Sequence, residues 1–215
     1  MYHSPGLQKN KNRMFFHIPP HVLRKWIRSL VFTACVLLIL CSCEVPFENK
    51  ASRDFIIRTG DHYATPRLYE TFKSNKLEFK ATFDESAMYD LGGPALQSNK
   101  NKLMGFSDCS SAHHENSARF AWQWYNERLE IYAYCYVDSV RIEEFIGHVN
   151  LNEENLYGII ATENEYQFFL NGEKKVYIDR LNQCDEGLNY MLYPYFGGSE
   201  PAPHDVRVEI QLVSH

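Results

Sequence analysis

Acidic residues are missing altogether from the first 42 positions of this 215-residue chain, where six basic side chains (Lys9, Lys11, Arg13, Arg24, Lys25 and Arg28) stand alone. The remainder therefore carries 16 of the 22 basic residues against all 27 acidic ones, a formal charge of −11. So acidic a body lacks the Lys and Arg surplus from which phosphate-backbone affinity is built, and nucleic acid is set aside as a partner. Also missing is any apolar run of the roughly 20 residues that a membrane-spanning helix needs. The N-terminal run from Leu30 to Leu40 stops well short of that. There is no internal repeat, no low-complexity tract, and no long helical period after residue 42. There is no H-E-x-x-H, the spacing that places two ligating histidines on one helix face. At this length one domain with an appendage is expected.

What the N-terminus does have is an order: basic residues ending at Arg28, the apolar run, then small residues at Cys41, Ser42 and Cys43. This is the layout of a secretory signal peptide over residues 1–42, with Met14 an alternative start that leaves an n-region of ordinary length. The stretch Leu40-Cys41-Ser42-Cys43 resembles the lipobox of bacterial lipoproteins, in which an aliphatic and small residues precede the acylated cysteine. The resemblance implies lipidation at Cys43, a lipid-anchored membrane partner, and a place in the bacterial cell envelope, at the outer membrane or cell surface. An uncleaved signal anchor is the alternative. Residues 43–53 then read as a polar tether to a domain over 54–215.

Cys35 and Cys41 would leave with the signal and Cys43 would carry lipid, which leaves Cys109, Cys135 and Cys184. Export puts them in a compartment where a disulfide persists. Cys135 sits in an alternating strand with core parity, whereas Cys109 and Cys184 lie in polar loop sequences. A Cys109–Cys184 bridge with Cys135 a buried free thiol is the expected arrangement.

The remaining chain is rich in Tyr, Phe, Val and Ile, in short alternating runs separated by turn signals. Strands are expected at "DFIIRTG", "KLEFKATFD", "SARFAWQWY", "RLEIYAYCYV", "RIEEFIGHVNL", "YGIIAT", "YQFFLNGEKKVYI", "YMLYPYF" and "DVRVEIQLV". Asn171-Gly172 is the strongest hairpin signal, because a type I′ turn needs positive φ at both central residues. The natural architecture is an all-β antiparallel sandwich of two sheets.

The register of one hairpin follows from face consistency. With Asn126 and Glu127 as a two-residue turn, Phe120 opposes Ala133, Trp122 opposes Ile131, and Trp124 opposes Leu129. The other face carries Arg119, Gln123, Tyr125, Tyr132, Tyr134 and Tyr136. A one-residue slip would mix the two sets. The tryptophans are therefore expected in the core, and the tyrosine ladder becomes the candidate ligand face. Tyrosine suits a surface that is partly dry and partly wet, although cross-strand aromatic pairs also simply stabilise sheets. Arg119 among the rings offers a bidentate partner for a carboxylate, or a cation that stacks on Tyr134.

Upstream lies "AHHENS". Its adjacent His113, His114 and Glu115 point to alternate faces if extended, so a metal site would need distant help from Asp108, His204 or Asp205. The simpler reading is a loop whose Asp108, Ser110 and Asn116 make turn hydrogen bonds. No metal or cofactor is called for.

The C-terminal stretch "YMLYPYFGGSEPAPHDVRVEIQLV" resembles the closing strands of concanavalin A-like jelly rolls, and "YQFFLNGEKKVYI" resembles a hairpin of the same domains. The likeness spans much of residues 54–213. It implies a jelly-roll β-sandwich of a class that includes carbohydrate-binding modules, glycoside hydrolases and polysaccharide lyases, with a concave sheet face as glycan groove. The E-x-D-x-x-E arrangement of laminarinase-like hydrolases is absent, as is the paired-carboxylate strand that acid/base cleavage requires. The Gln-x-His strand of alginate lyases is missing too, and "YPYFGG" loosely echoes a lyase Tyr-Phe strand. The expectation is thus glycan binding on a face made by Arg119, Gln123, Tyr132, Tyr134 and Tyr136. A lyase or hydrolase using His113 or His114 with Tyr134 and Arg119 is the alternative, and a non-catalytic envelope interaction protein is a third reading.

Overall fold

In the computed structural model, residues 51–181, 184 and 187–214 are described. The signal-like segment, Cys43 and most of the tether lie outside them. Two antiparallel sheets face each other, as the alternating patterns require. The seven-stranded sheet contains β1 (Arg53–Ile57), β2 (Ala64–Thr65), β4 (Lys76–Phe83), β9 (Asn155–Ala161), β10 (Glu165–Leu170), β11 (Glu173–Asp179) and β13 (Val206–Ser214), in the order β11-β10-β9-β4-β13-β1-β2. The six-stranded sheet contains β3 (Thr71–Phe72), β5 (Asn101–Ser107), β6 (Ser117–Tyr125), β7 (Arg128–Val137), β8 (Val140–Val149) and β12 (Asn189–Leu192), in the order β3-β12-β5-β6-β7-β8. Among the described residues, helix is confined to one 3-10 turn at Glu85–Ala87 and the single-turn α1 (Pro94–Gln97). This is a jelly-roll sandwich.

The core lies between the sheets, and aromatic side chains fill much of it. Phe79 stacks on Tyr157 with ring centroids 5.2 Å apart, and Phe120 meets Phe168 edge-on at 5.1 Å. Trp122 is fully buried against Phe83, whereas Trp124, nearer the turn, is partly buried and packs on the edge of the core. The β6–β7 register is the one deduced from the faces, from Ser117 opposite Tyr136 to Tyr125 opposite Arg128. Asn126 (φ 48°) and Glu127 (φ 59°) make its turn, and Asn171 (φ 52°) with Gly172 (φ 79°) makes that between β10 and β11.

Strand β5 is central, yet its sequence "NKLMGFS" shows no clean alternation. The reason is a bulge between Lys102 and Gly105, which shifts the register against β6. Gly105 is required there, because a side chain would run into the Ala118 carbonyl and Arg119 on β6.

The loop that leaves β5 is tied down. Cys109 and Cys184 form a disulfide with Cα atoms 4.4 Å apart, and Cys135 is a fully buried free thiol. Asp108 accepts hydrogen bonds from the Tyr166 hydroxyl and, at both carboxylate oxygens, from Arg180. Asn116 accepts from the Asp138 N–H, and Ser110 from the Leu188 N–H. Asp108, Ser110 and Asn116 are thus turn-building groups. His204 and Asp205 are not brought to them: His204 is bonded to the Ser86 carbonyl and Asp205 to Arg58 and Thr59.

Candidate functional site

On β6 the side chains of Arg119, Ala121 and Gln123 point away from the core, onto the outer face of the six-stranded sheet. A free outer face would be wet. This one is roofed at one end by the segments 63–69 and 190–195, which enclose a cleft of about 450 Å³. Arg119 lies at its base, only 7% exposed. Its guanidinium carbon is 5.2 Å from the centroid of the Tyr134 ring, and its Nε has no hydrogen-bond partner. No carboxylate is paired with it among the described residues, and no Asp or Glu lines the cleft. Burial alone presses the guanidinium below its ordinary value, but an arginine keeps its charge.

Five further side chains line the cleft with it, Lys102, His113, Tyr134, Tyr190 and Tyr195. Lys102, from the bulged end of β5, holds its ammonium 4.6 Å from the other contacts' shared ring, that of Tyr134, and donates to the Lys100 carbonyl. Burial, then the neighbouring Arg119 charge, brings it down to about 8. His113, carried by the tied loop, is bonded twice to Tyr190 of β12. Its backbone N–H donates to the Tyr190 hydroxyl at 3.0 Å, and Nδ1 lies 3.0 Å from the same oxygen. Burial, then Arg119 and His114, lowers His113 to about 4, so the ring is neutral at neutral pH. Tyr134 is pushed up to about 12, first by burial and then by its hydrogen bond with Tyr136. Tyr195 also lines the cleft, bridged by its backbone to Lys102, and burial raises its hydroxyl.

The residues expected from sequence divide in two. Arg119, Tyr134, His113 and His114 line this cleft. Tyr136 stands at its border, with His114 tilted over its ring at 5.2 Å. Gln123 and Tyr132 lie at the other end of the face in a closed network. There Gln123 donates to Glu130 and to the Tyr132 hydroxyl, Tyr132 donates to Glu130 at 2.7 Å, and Lys100 donates to Gln123 at 2.8 Å. Lys102, Tyr190 and Tyr195 are cleft residues that the sequence reading did not single out. Lys102 was hidden because the bulge masks β5, while Tyr195 sits in the "YPYFGG" already noted for its lyase-like echo.

The described residues contain one group of potential metal ligands, Asp108, Cys109 and Cys184. Its sulfurs are joined to each other and its carboxylate is paired with Arg180.

No family model matches the chain, and no curated protein does. Solved structures share its fold. The alginate lyase Aly36B in complex with alginate trisaccharide aligns with a TM-score of 0.53 at 12% identity, over 76% of this chain and 82% of that one. The alginate lyase AlyC3 aligns with a TM-score of 0.53 at 10% identity, over 74% and 72%. The laminarinase catalytic domain of Thermotoga maritima gives 0.50 at 12%, over 77% and 80%.

Proposed function

We propose that this cleft binds an acidic glycan through the carboxylate of a uronic acid unit, and that it is equipped to cleave that glycan by β-elimination. One observation carries the reading: a buried, unpaired Arg119 faces a cleft that holds the His113–Tyr190 pair and no carboxylate of its own. A buried cation without a partner is costly, and a planar ligand carboxylate is the group its fork geometry fits. Hydrolysis by the usual pair of carboxylates has no residues here. Elimination needs none. It asks for a cation to neutralise the uronate, a base for the proton on C5, and an acid for the departing O4.

Arg119 with Lys102 would neutralise the carboxylate and so acidify the C5 proton. With Nδ1–H donated to the Tyr190 oxygen, His113 presents the Nε2 lone pair as base. Burial is the main cause of the lowered His113, but a carboxylate bound at Arg119 offsets that cation's share and so raises the basicity of the ring when substrate is present. Tyr134, held protonated by burial and its bond to Tyr136, would donate to O4 as the C4–O4 bond breaks and the C4=C5 double bond forms. The alginate lyases among the similar folds support the choice of a uronate substrate.

The assay is direct. Uronate polymers incubated with the protein should give unsaturated products absorbing in the near ultraviolet. His113→Ala should abolish the signal and spare affinity, whereas Arg119→Ala should lose both. Binding without product would leave a carbohydrate-binding protein, and no binding at all would reject the reading.

We further propose that Cys43 anchors the domain to the envelope membrane through the tether of residues 43–53. Cys43→Ala should leave an unprocessed precursor without acyl label. Normal acylation of that variant would refute the anchor.

A further inference from the structure

On the roof of the same cleft, Tyr63 just before β2 and Arg67 just after it present a second aromatic and cationic pair. Tyr63 is 55% exposed, yet its ring is held in place. Tyr195 meets it edge-on with centroids 5.0 Å apart, and the Arg67 guanidinium lies 4.5 Å from its ring centre. His62 stacks on Tyr195 at 5.3 Å, so the platform is backed by further rings. Arg67 is itself exposed and forms no ion pair with a carboxylate among the described residues. An ordered aromatic face carrying an unneutralised cation is suited to a sugar ring that bears a negative charge.

Its position relates it to the inner site. Tyr63 is bridged to Tyr195, Tyr195 to Lys102, and β5 to the β6 that carries Arg119. Three strand spacings of about 4.8 Å separate the backbones, roughly 14 Å in all. That path along the sheet falls within the length of a short oligosaccharide.

We propose that Tyr63 and Arg67 form an outer station for a second negatively charged unit of the same glycan chain. The inference rests on the acidic-glycan reading of the cleft. It adds that the protein selects polymers in which charged units recur over neutral ones, and longer chains over short.

The test is titration calorimetry with a uronate trimer, a uronate hexamer and a neutral glucan hexamer. The native protein should bind the uronate hexamer about tenfold more tightly than the trimer, the order that one charge-assisted hydrogen bond supplies. Arg67→Ala and Tyr63→Ala, both at exposed positions, should each bring that ratio toward one, and Arg67→Lys should retain part of it. The neutral hexamer should show no gain. If both alanine variants keep the full ratio, or the native protein does not distinguish hexamer from trimer, the outer station is rejected while the inner site stands. If neither uronate oligomer binds the native protein, both ideas fall together.

Discussion

At one end of the outer face of the six-stranded sheet, Gln123, Glu130, Tyr132 and Lys100 hydrogen-bond to one another. At the other end, on the same two strands, Arg119 is buried without a carboxylate and with Nε unbonded. Local composition does not explain the contrast, since both ends mix tyrosines with long polar side chains. The difference lies in what the rest of the chain contributes. At the Gln123 end a carboxylate from β7 reaches the centre of the cluster. At the Arg119 end the roof supplies tyrosines, the tied loop a histidine and β5 a second cation. A network that satisfies its own members gains stability, whereas one that leaves a buried charge open is poised for a ligand at a cost in stability.

The contrast can be tested at several magnitudes. Trp122 is fully buried on the core side of β6, so Trp122→Ala should weaken the sheet that carries both ends and cost about 3–5 kcal/mol through the cavity it leaves. A chemical denaturation midpoint near that of the native protein would refute this.

The Cys109–Cys184 bridge serves only the His113 end. Replacing both cysteines by alanine should lower stability by about 2–5 kcal/mol and weaken glycan binding, while the Gln123 network stays intact. Non-reducing peptide mapping of the protein should recover the bridge, with Cys135 alkylated only after unfolding. Two free loop thiols would count against it.

Substitution at each end separates the two strategies most sharply. Arg119→Met should stabilise the fold by on the order of 1 kcal/mol, by removing an unpaired buried charge, and should cut affinity for a uronate oligomer at least about tenfold. Gln123→Ala should do the reverse, lowering stability by about 1 kcal/mol and leaving affinity near native. Matching effects at the two positions would dissolve the comparison.

The smallest effect concerns pH. Lys102 is protonated below about 8 in the free protein, and an anionic ligand favours that charged form. Affinity should therefore fall as pH rises through 8, and Lys102→Arg should flatten the decline. A native affinity that is level across this range would exclude Lys102 from the site.

Much of this molecule follows from local pattern. The two-residue period placed β4, β6, β7 and β13. Positive-φ turn chemistry placed the β10–β11 hairpin, and the requirement that one face stay apolar set the β6–β7 register and buried Trp122. Arg119 and Tyr134 were legible as outer-face residues for the same reason, and the cysteine pairing followed from strand parity and loop composition. The cleft itself was not legible. Its His113 is held by Tyr190, some 77 positions further along the chain. Lys102 arrives from a strand whose alternation a bulge disrupts, and the roof comes from segments 63–69 and 190–195. Period and parity report which side of a sheet a residue occupies, because they reflect the geometry of one strand. Which end of that side is covered, and whether a charge there finds a partner, depends on contacts between distant segments, and only the tertiary structure decides it.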